Sequence, residues 1–253
     1  MSGEAGSRSD IRLPEAQREL LQRMKTLGKP IVVVLFNGRP LDLSGVIENA
    51  DAILEAWFPG SEGGAAITSL LYGDENPSGR LTMSFPVSVG QIPVYYNHFN
   101  TGRPLGPGAD KRYVSQYLDI PNEPFLPFGF GLSYTTFSYS EPILSGEIMT
   151  KDQPIKVTFT VTNTGNVQGE EVVQLYIRDI SGEVVRPMKE LKDFAKISIS
   201  PGESREVSFT LTEEQLRYYH SDLSFSSDPG QFKLFVGPNS QEVKERDFRL
   251  TLA

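Results

Sequence analysis

The sequence contains no cysteine, and this absence excludes disulfide bonds and thiolate metal sites from the 253 residues. It also lacks an excess of positive charge, because the formal net charge is −8 and the isoelectric point is near 5.0. An acidic chain is a poor partner for nucleic acid or for an anionic membrane surface. No apolar run approaches the roughly 20 residues that a membrane helix needs. We therefore expect neither nucleic acid nor a membrane as a partner.

Histidine is nearly absent, since His98 and His220 are the only two in the chain. They lie on opposite sides of a change in sequence pattern described below, so a catalytic triad or a metal site built from them is not predicted. We expect each histidine to be a surface or loop residue. No cluster of metal-ligand residues is visible in the sequence, and no metal or cofactor is expected.

Two glycine motifs are incomplete. Gly129 and Gly131 begin a dinucleotide-binding fingerprint, but Tyr134 occupies the place of the third glycine and no buried strand comes directly before. A nucleophile elbow around Ser61 would need glycine where Pro59 stands. The sequence therefore predicts neither a phosphate-binding loop nor a serine nucleophile at these positions.

The first half of the chain alternates helix and strand patterns. Apolar residues from Leu13 to Leu27 follow the three-and-four spacing of an amphipathic helix, and a second helix ends at Gly73. The segments 30–38, "PIVVVLFNG", and 51–60, "DAILEAWFPG", are typical of strands buried on both faces, with Trp57 inside the second. A short helix is predicted between them. This alternation indicates an α/β layered domain, although it has fewer strands than such a domain usually has.

The pattern changes after Ser140. Residues 155–162 alternate apolar and polar side chains with period two, which predicts a half-buried strand. Four further segments repeat the pattern, with turn residues between them: 170–179, 194–200, 204–212 and 230–237. Together they predict an antiparallel β-sandwich of about 110 residues.

An aromatic stretch, "PFLPFGFGLSYTTFSYS", comes just before this change and runs from Pro124 to Ser140. Its four phenylalanines and two tyrosines would bury a large area at low entropic cost, which favours a seam between two domains. Gly129 and Gly131 would let the backbone pass close to neighbouring atoms. The alternative is a platform on which a sugar or a base stacks.

Ordered blocks of sequence resemble glycoside hydrolase family 3, and most of all its periplasmic-type β-glucosidases. The first blocks are "LPEAQRELL", "KPIVVVLFNGRP", "AILEAWFPGSEGGAAITSLLYGDENPSGRLTMSFP", "IPVYYNHFNTGRP" and "PFGFGLSYTTF". The later blocks "VTNTGNVQGEEVVQLYI", "RPMKELKDF", "SPGESREVSFTL" and "GQFKLFVG" resemble the fibronectin type III-like domain of that family. The resemblance covers essentially the whole chain.

The resemblance implies a fold of class α/β plus all-β. Residues 1–140 would form the C-terminal part of a three-layer α/β-sandwich domain, and residues 141–253 would form the fibronectin type III-like β-sandwich. The family's N-terminal barrel, which binds the sugar and carries the nucleophilic aspartate, has no counterpart in the sequence. The chain is therefore interpreted as a C-terminal portion of such an enzyme.

One catalytic position is implied by the resemblance. Many family members carry the acid/base glutamate in a segment similar to E-G-x-D-R before the first helix, and Glu4 and Arg8 match that segment here. Ala5 and Ser7 depart from it, standing where the pattern has glycine and aspartate. The role requires a carboxyl group about 5–5.5 Å from the nucleophile that stays protonated near neutrality. The alternative for Glu4 is a solvated carboxylate on a loose N-terminus.

The implied activity is that of a retaining β-glucosidase in carbohydrate metabolism. One carboxylate attacks the anomeric carbon, and the other protonates the leaving oxygen and later activates water, so no cofactor is needed. The chain supplies at most the second group, and we expect the isolated chain to be inactive. Two alternatives stay open: a parent β-xylosidase or β-N-acetylglucosaminidase, and a carbohydrate- or protein-binding structural module.

The implied partners follow from the missing barrel. A β-glucoside or oligosaccharide substrate would be bound through that barrel. The strands of the first half would lose neighbours without the rest of their domain, so we expect the chain to self-associate. The compartment stays open between the cytoplasm and the periplasm or secretion.

Overall fold

The structure is a computed structural model that describes residues 4–104 and 112–251. These ranges contain two α-helices and thirteen strands. In chain order they are α1 (Glu15–Lys25), β1 (Val32–Leu35), β2 (Ala52–Glu55), α2 (Gly63–Tyr72), β3 (Phe137–Tyr139), β4 (Ile143–Leu144), β5 (Ile148–Met149), β6 (Ile155–Asn163), β7 (Gly169–Asp179), β8 (Glu190–Ile199), β9 (Ser204–Leu211), β10 (Tyr218–Tyr219), β11 (Phe225–Ser226), β12 (Gly230–Gly237) and β13 (Lys244–Leu250). The α/β pattern therefore occupies the first part of the chain and the all-β pattern the second, as predicted.

The chain forms two compact units that interleave in sequence. The first unit comprises Met1–Glu75, Met83–Tyr95 and Tyr117–Pro127. The second unit comprises Asn76–Thr82, Tyr96–Gln116 and Phe128–Ala253. The boundary between residues 140 and 141 stays a prediction.

The first unit is built around α1 and a parallel pair of strands. The helix α1 confirms the predicted amphipathic segment, with Leu21 buried. The strands β1 and β2 run parallel in a register that pairs Val32 with Ala52 and Leu35 with Glu55. Gly73 ends α2 in the left-handed conformation, as expected for a C-terminal glycine.

The prediction that both strands are buried on both faces is wrong for this chain. Val32 is 51% exposed and Ile53 is 37% exposed. The reason is that the sheet of the first unit contains two strands in the described residues. A two-stranded sheet gives each strand one neighbour and covers little of its apolar side chains.

Two local predictions for the same unit are also wrong. The segment 42–50 forms hydrogen-bonded turns instead of a short helix, because Gly45 has a φ of +81° that interrupts helical geometry. Trp57 lies beyond the end of β2 instead of inside it, with a φ of +50°. Strand geometry cannot continue through a residue in the left-handed region.

The second unit contains the predicted β-sandwich. One sheet has the strand order β5-β13-β12-β7-β8, with every pairing antiparallel except that of β13 and β5. In the other sheet, β6 pairs with β9 on one edge and with β3 and β4 on the other. All five strand patterns read from the sequence are confirmed, whereas the short strands and β13 were not anticipated.

Side chains from both sheets form one buried apolar cluster. The inward positions of β6 alternate with exposed or half-buried polar ones, as the period-two pattern predicted. Fully buried members come from both sheets and include Val157, Leu175, Leu234, Phe248 and Leu250. The fold class, α/β plus an all-β sandwich, is therefore confirmed.

The aromatic stretch contributes side chains to the second unit from Phe128 onward. The Phe128 ring stacks on Tyr96 at a centroid distance of 4.3 Å, and Tyr139 stacks on Phe159 at 6.3 Å. A side chain at Gly129, which has a φ of +83°, would collide with Gln174. The need for close backbone approach at this glycine is thus confirmed, and a role as a seam between domains stays a prediction.

His220 lies in the loop between β10 and β11, as the prediction of a surface or loop residue allows, but it is buried and not on the surface. It is 8% exposed, and its Nδ1 lies 2.7 Å from a carboxylate oxygen of Glu183. Its Nε2 lies 3.0 Å from the Ser226 hydroxyl. Burial is tolerated because both ring nitrogens have hydrogen-bond partners. His98, in contrast, is exposed as expected.

Candidate active site

The candidate site lies where β1 and β2 end, at their carboxyl termini. Ligands of α/β sheets bind outside the carboxyl ends of parallel strands. Asn37 follows β1 by two residues, and Glu55 is the last residue of β2. The amide Nδ2 of Asn37 donates a hydrogen bond of 3.1 Å to the Glu55 carboxylate, which joins the two strand ends.

Asn37 is the most buried polar group at this edge, with 9% of its surface exposed. Its Nδ2 also donates to the backbone carbonyl of Arg39 at 2.8 Å. Its Oδ1 is buried without a hydrogen-bond partner in the part of the chain that the structure describes. Such unsatisfied groups are rare in folded proteins, and each needs an explanation such as a catalytic role or a bound water.

Glu55 is half-buried beside Trp57. Its carboxylate accepts hydrogen bonds from the Asn37 amide and from the Trp57 backbone N–H, the latter at 3.0 Å. Burial raises the pKa of Glu55, and these two hydrogen bonds oppose the rise only in part. Trp57 itself adopts a left-handed backbone conformation that is unfavourable for a bulky residue, and its ring lies 6.0 Å from that of Phe85.

The N-terminal segment that carries Glu4 is tied to the loop after β1. Glu4 and Ala5 form an exposed turn in which Ala5 has a φ of +56°. Arg39 donates a hydrogen bond of 2.9 Å from Nη1 to the Ser7 hydroxyl oxygen. The loop after β1 thus contacts both the end of β2, through Asn37, and the Glu4 segment, through Arg39.

A second attachment lies farther along the same segment. Arg12 forms a parallel β-bridge with Asp42, and the Asp42 N–H donates to the Ile11 carbonyl at 3.3 Å. The Arg12 guanidinium, which hydrogen-bonds to Asp10, lowers the pKa of that carboxyl.

An open cleft of about 470 Å³ is lined by Ser9, Asp10, Arg12, Asp42, Ser88, Val89 and Gly90.

Glu4, the one predicted site residue, lies in this exposed turn. Among the described residues it makes no hydrogen bond or ion pair, so its carboxyl group is open to solvent, and its catalytic role stays a prediction. Sequence reasoning missed Asn37, Arg39 and Glu55. Their position in the sequence could have identified them, because they are polar residues at or just after the ends of apolar strands, and ligands bind at the carboxyl ends of parallel strands.

The described residues of the site do not form a metal-binding cluster. Across residues 4–104 and 112–251, no three His, Asp or Glu residues are grouped so that they could bind an ion. None of the helices in these ranges has the length and apolar character needed to cross a membrane. The arrangement presents two carboxyl groups: the exposed one of Glu4 on the turn and the half-buried one of Glu55 at the strand ends.

Residues 1–134 match the glycosyl hydrolase family 3 C-terminal domain, over more than half of the chain. The chain belongs to glycosyl hydrolase family 3. Residues 171–240 of this family 3 chain match a fibronectin type III-like domain. The family and domain composition expected from the sequence resemblance are therefore confirmed.

Relatives of this family 3 chain include named glycosidases. A periplasmic β-glucosidase of Salmonella typhimurium is 48% identical over 99% of the chain, and a β-xylosidase of Formosa agariphila is 43% identical over 99%. The crystal structure of a β-glucosidase from Listeria innocua in complex with glucose superimposes with a TM-score of 0.93 over 98% of the chain, at 47% identity. The chain covers 33%, 34% and 34% of these proteins, or about a third of their length.

Proposed function

We propose that this chain is the C-terminal third of a retaining β-glucosidase that removes terminal β-D-glucosyl residues from glucosides or short oligosaccharides. The proposal rests on the 48% identity over almost the whole chain to a protein described as a β-glucosidase. The first unit brings Glu4 to the mechanism, and the second unit is a structural β-sandwich. The substrate would be bound through the barrel that lies in the unmatched two-thirds of the relatives.

In this mechanism Glu4 is the general acid and base. Its protonated carboxyl gives a proton to the leaving oxygen while an aspartate of the barrel attacks the anomeric carbon. The Glu4 carboxylate then removes a proton from the water that hydrolyses the glycosyl-enzyme. The match of Glu4 and Arg8 to the family's acid/base segment supports this role.

The test uses the whole protein and a nitrophenyl β-D-glucoside. We expect turnover by the whole protein and a decrease in kcat of roughly 10²-fold or more in the Glu4→Gln variant, since general acid–base groups contribute factors of this size. Azide, which needs no general base, should partly restore turnover of that variant. Full activity of Glu4→Gln would assign the acid/base role to another residue.

The isolated chain provides the complementary measurement. It lacks the barrel nucleophile, so we expect no glucoside turnover from it under conditions in which the whole protein is active. Turnover by the purified chain that disappears in Glu4→Gln would overturn this expectation. A preparation of the Glu4→Gln chain made in the same way controls for contaminating glycosidases.

A β-xylosidase is the second candidate, and the 43% identity to the Formosa agariphila β-xylosidase favours it. The sugar-reading pocket belongs to the barrel, so the two candidates differ in substrate and not in the role of Glu4. Comparing kcat/KM for nitrophenyl glucoside and nitrophenyl xyloside decides between them. A higher value for the xyloside would replace the first proposal.

Self-association of the isolated chain is part of the proposal. Apolar side chains on the first unit are exposed, among them Leu27, Phe36 and Phe58. Light scattering over a range of concentrations should show a mass that increases with concentration. A constant monomer mass at high concentration would contradict this.

The periplasmic description of the Salmonella relative supports an exported parent over a cytoplasmic one.

A further inference from the structure

We propose that Arg39 is a positioning residue that holds the Glu4 turn in place for proton transfer. The inference rests on the proposed function, in which Glu4 is the acid/base, and it adds a residue that the sequence resemblance does not assign. It starts from the 2.9 Å hydrogen bond between Arg39 Nη1 and the Ser7 hydroxyl, three residues after Glu4.

The base of the Arg39 side chain is fixed by the strand ends. Asn37 donates one hydrogen bond to the Arg39 carbonyl and another to the Glu55 carboxylate. Both bonds come from the same amide nitrogen, so the loop after β1 is fastened to the last residue of β2. The backbone of Arg39 is therefore fixed by the parallel strands, and its side chain hydrogen-bonds to the N-terminal segment.

The segment that it reaches contains a strained residue. Ala5, next to Glu4, has a φ of +56°, a conformation that residues with a Cβ adopt at a cost. Such a conformation persists only where the surroundings hold it. Arg39 hydrogen-bonds to Ser7, two residues after Ala5, and Arg12 pairs with Asp42 in a β-bridge farther on. These two contacts fix the segment that follows Ala5.

Proton transfer is the step that this hold affects. A general acid must lie within hydrogen-bond reach of the leaving oxygen, and misplacement of about 1 Å can lower the rate roughly 10²-fold. Leaving groups that depart as stable anions need no proton. Loss of the Arg39 contact should therefore lower kcat/KM, which reports steps up to formation of the glycosyl-enzyme, only for substrates whose leaving group needs a proton, whereas general damage to the fold should lower kcat/KM for all substrates.

The experiment uses the whole protein and two substrates, phenyl β-D-glucoside, whose leaving group needs a proton, and 2,4-dinitrophenyl β-D-glucoside, whose leaving group does not. For Arg39→Ala we expect kcat/KM to decrease roughly tenfold or more on the first substrate and less than about threefold on the second. Ser7→Ala removes the exposed acceptor without removing a charge and should show the same pattern with a smaller loss. Arg39→Lys keeps a donor and should recover part of the loss.

Two further variants separate the possible failures. Arg23→Ala removes an exposed arginine from α1 and should leave both substrates unchanged. If Glu4→Gln lowers kcat/KM equally for both substrates, or for neither, the proposed function fails, regardless of the results for the Arg39 variants. If Glu4→Gln shows that dependence but Arg39→Ala and Ser7→Ala slow both substrates equally, or neither, the positioning role of Arg39 is overturned.

Discussion

The two units use similar apolar side chains with different results. In the second unit, leucines, valines and phenylalanines of two sheets bury one another in a single cluster. In the first unit, Leu20 and Leu27 of the α1 region and Val32 of β1 remain exposed. The sequence patterns are equally regular in both, so periodicity alone does not determine whether a residue contributes to a core.

The difference lies in the number of partner elements. Two packed sheets cover the inward faces of nearly every strand in the second unit, whereas β1 and β2 have only each other within the described residues. Burial is what stabilises a fold, at roughly 25 cal/mol for each Å² of apolar surface removed from water. The second unit should therefore unfold at a higher denaturant concentration than the first.

A matched pair of leucine substitutions gives the largest expected effect. Leu234 in β12 is 0% exposed, and its change to Ala should lower the free energy of unfolding of the second unit by about 2–5 kcal/mol. Leu27, which is 69% exposed, should lose less than about 0.5 kcal/mol on the same change. Hydrogen exchange of the backbone amides of β12 follows the second unit during denaturation. Fluorescence of Trp57, the only tryptophan, follows the first.

If Leu27→Ala destabilises the first unit as much as Leu234→Ala destabilises the second, the conclusion that the two units differ in burial is wrong. Such a result would mean that Leu27 is covered in solution, as it would be in a self-associated form. Repeating the Leu27→Ala measurement at a tenfold lower protein concentration separates the two explanations, because association depends on concentration.

The sequence predicted the second unit better than the first. The alternation in β6 specifies which of its residues face inward, and its partner strands β3, β4 and β9 belong to the same unit. Around β1 and β2 the apolar runs indicated complete burial, but burial depends on neighbouring strands that a local pattern does not encode. The contact of Arg39 with Ser7 joins residues 32 positions apart, and no spacing rule predicts such a contact.

A matched pair of glycine substitutions should give effects of opposite sign. A Cβ at Gly131 in the second unit would collide with the carbonyl oxygen of Gly79, so Gly131→Ala should cost about 1–3 kcal/mol. Gly64 lies in α2 of the first unit with open space around it, and Gly64→Ala should stabilise that helix by about 0.5–1 kcal/mol. Thermal unfolding measures both. Equal signs would show that close packing does not distinguish these positions.

Two residues with positive φ should respond alike in the two units. Ala5 has a φ of +56° and Leu223 a φ of +69°, and both are exposed. Because glycine adopts this region without a steric penalty, Ala5→Gly and Leu223→Gly should each change the free energy of unfolding by less than about 1 kcal/mol, toward greater stability. Destabilisation by Ala5→Gly would mean that the turn carrying Glu4 depends on the alanine methyl group.

The smallest expected effect is a pH dependence in the second unit. The hydrogen bond to Glu183 raises the pKa of His220, and the hydrogen bonds from Ser221 and His220 lower the pKa of Glu183. Asp228, whose Oδ1 lies 4.0 Å from Nε2, also favours the charged imidazole, and His220 in turn lowers the pKa of Asp222. Among the described residues, Glu183, Asp222 and Asp228 are the carboxylates that interact with His220.

The sign follows from the two pKa directions. A raised histidine pKa gives stability that is complete below the unfolded value of about 6.5 and is lost as the pH rises through the folded value. A lowered glutamate pKa gives stability that is present above about 4.3 and is lost on acidification. The denaturation midpoint of the native chain should therefore exceed that of His220→Gln by more at about pH 5.5 than at about pH 8. Because the imidazole stacks on Tyr218 at 4.3 Å, part of the difference should persist at the higher pH. A difference independent of pH would leave packing as the only contribution of His220.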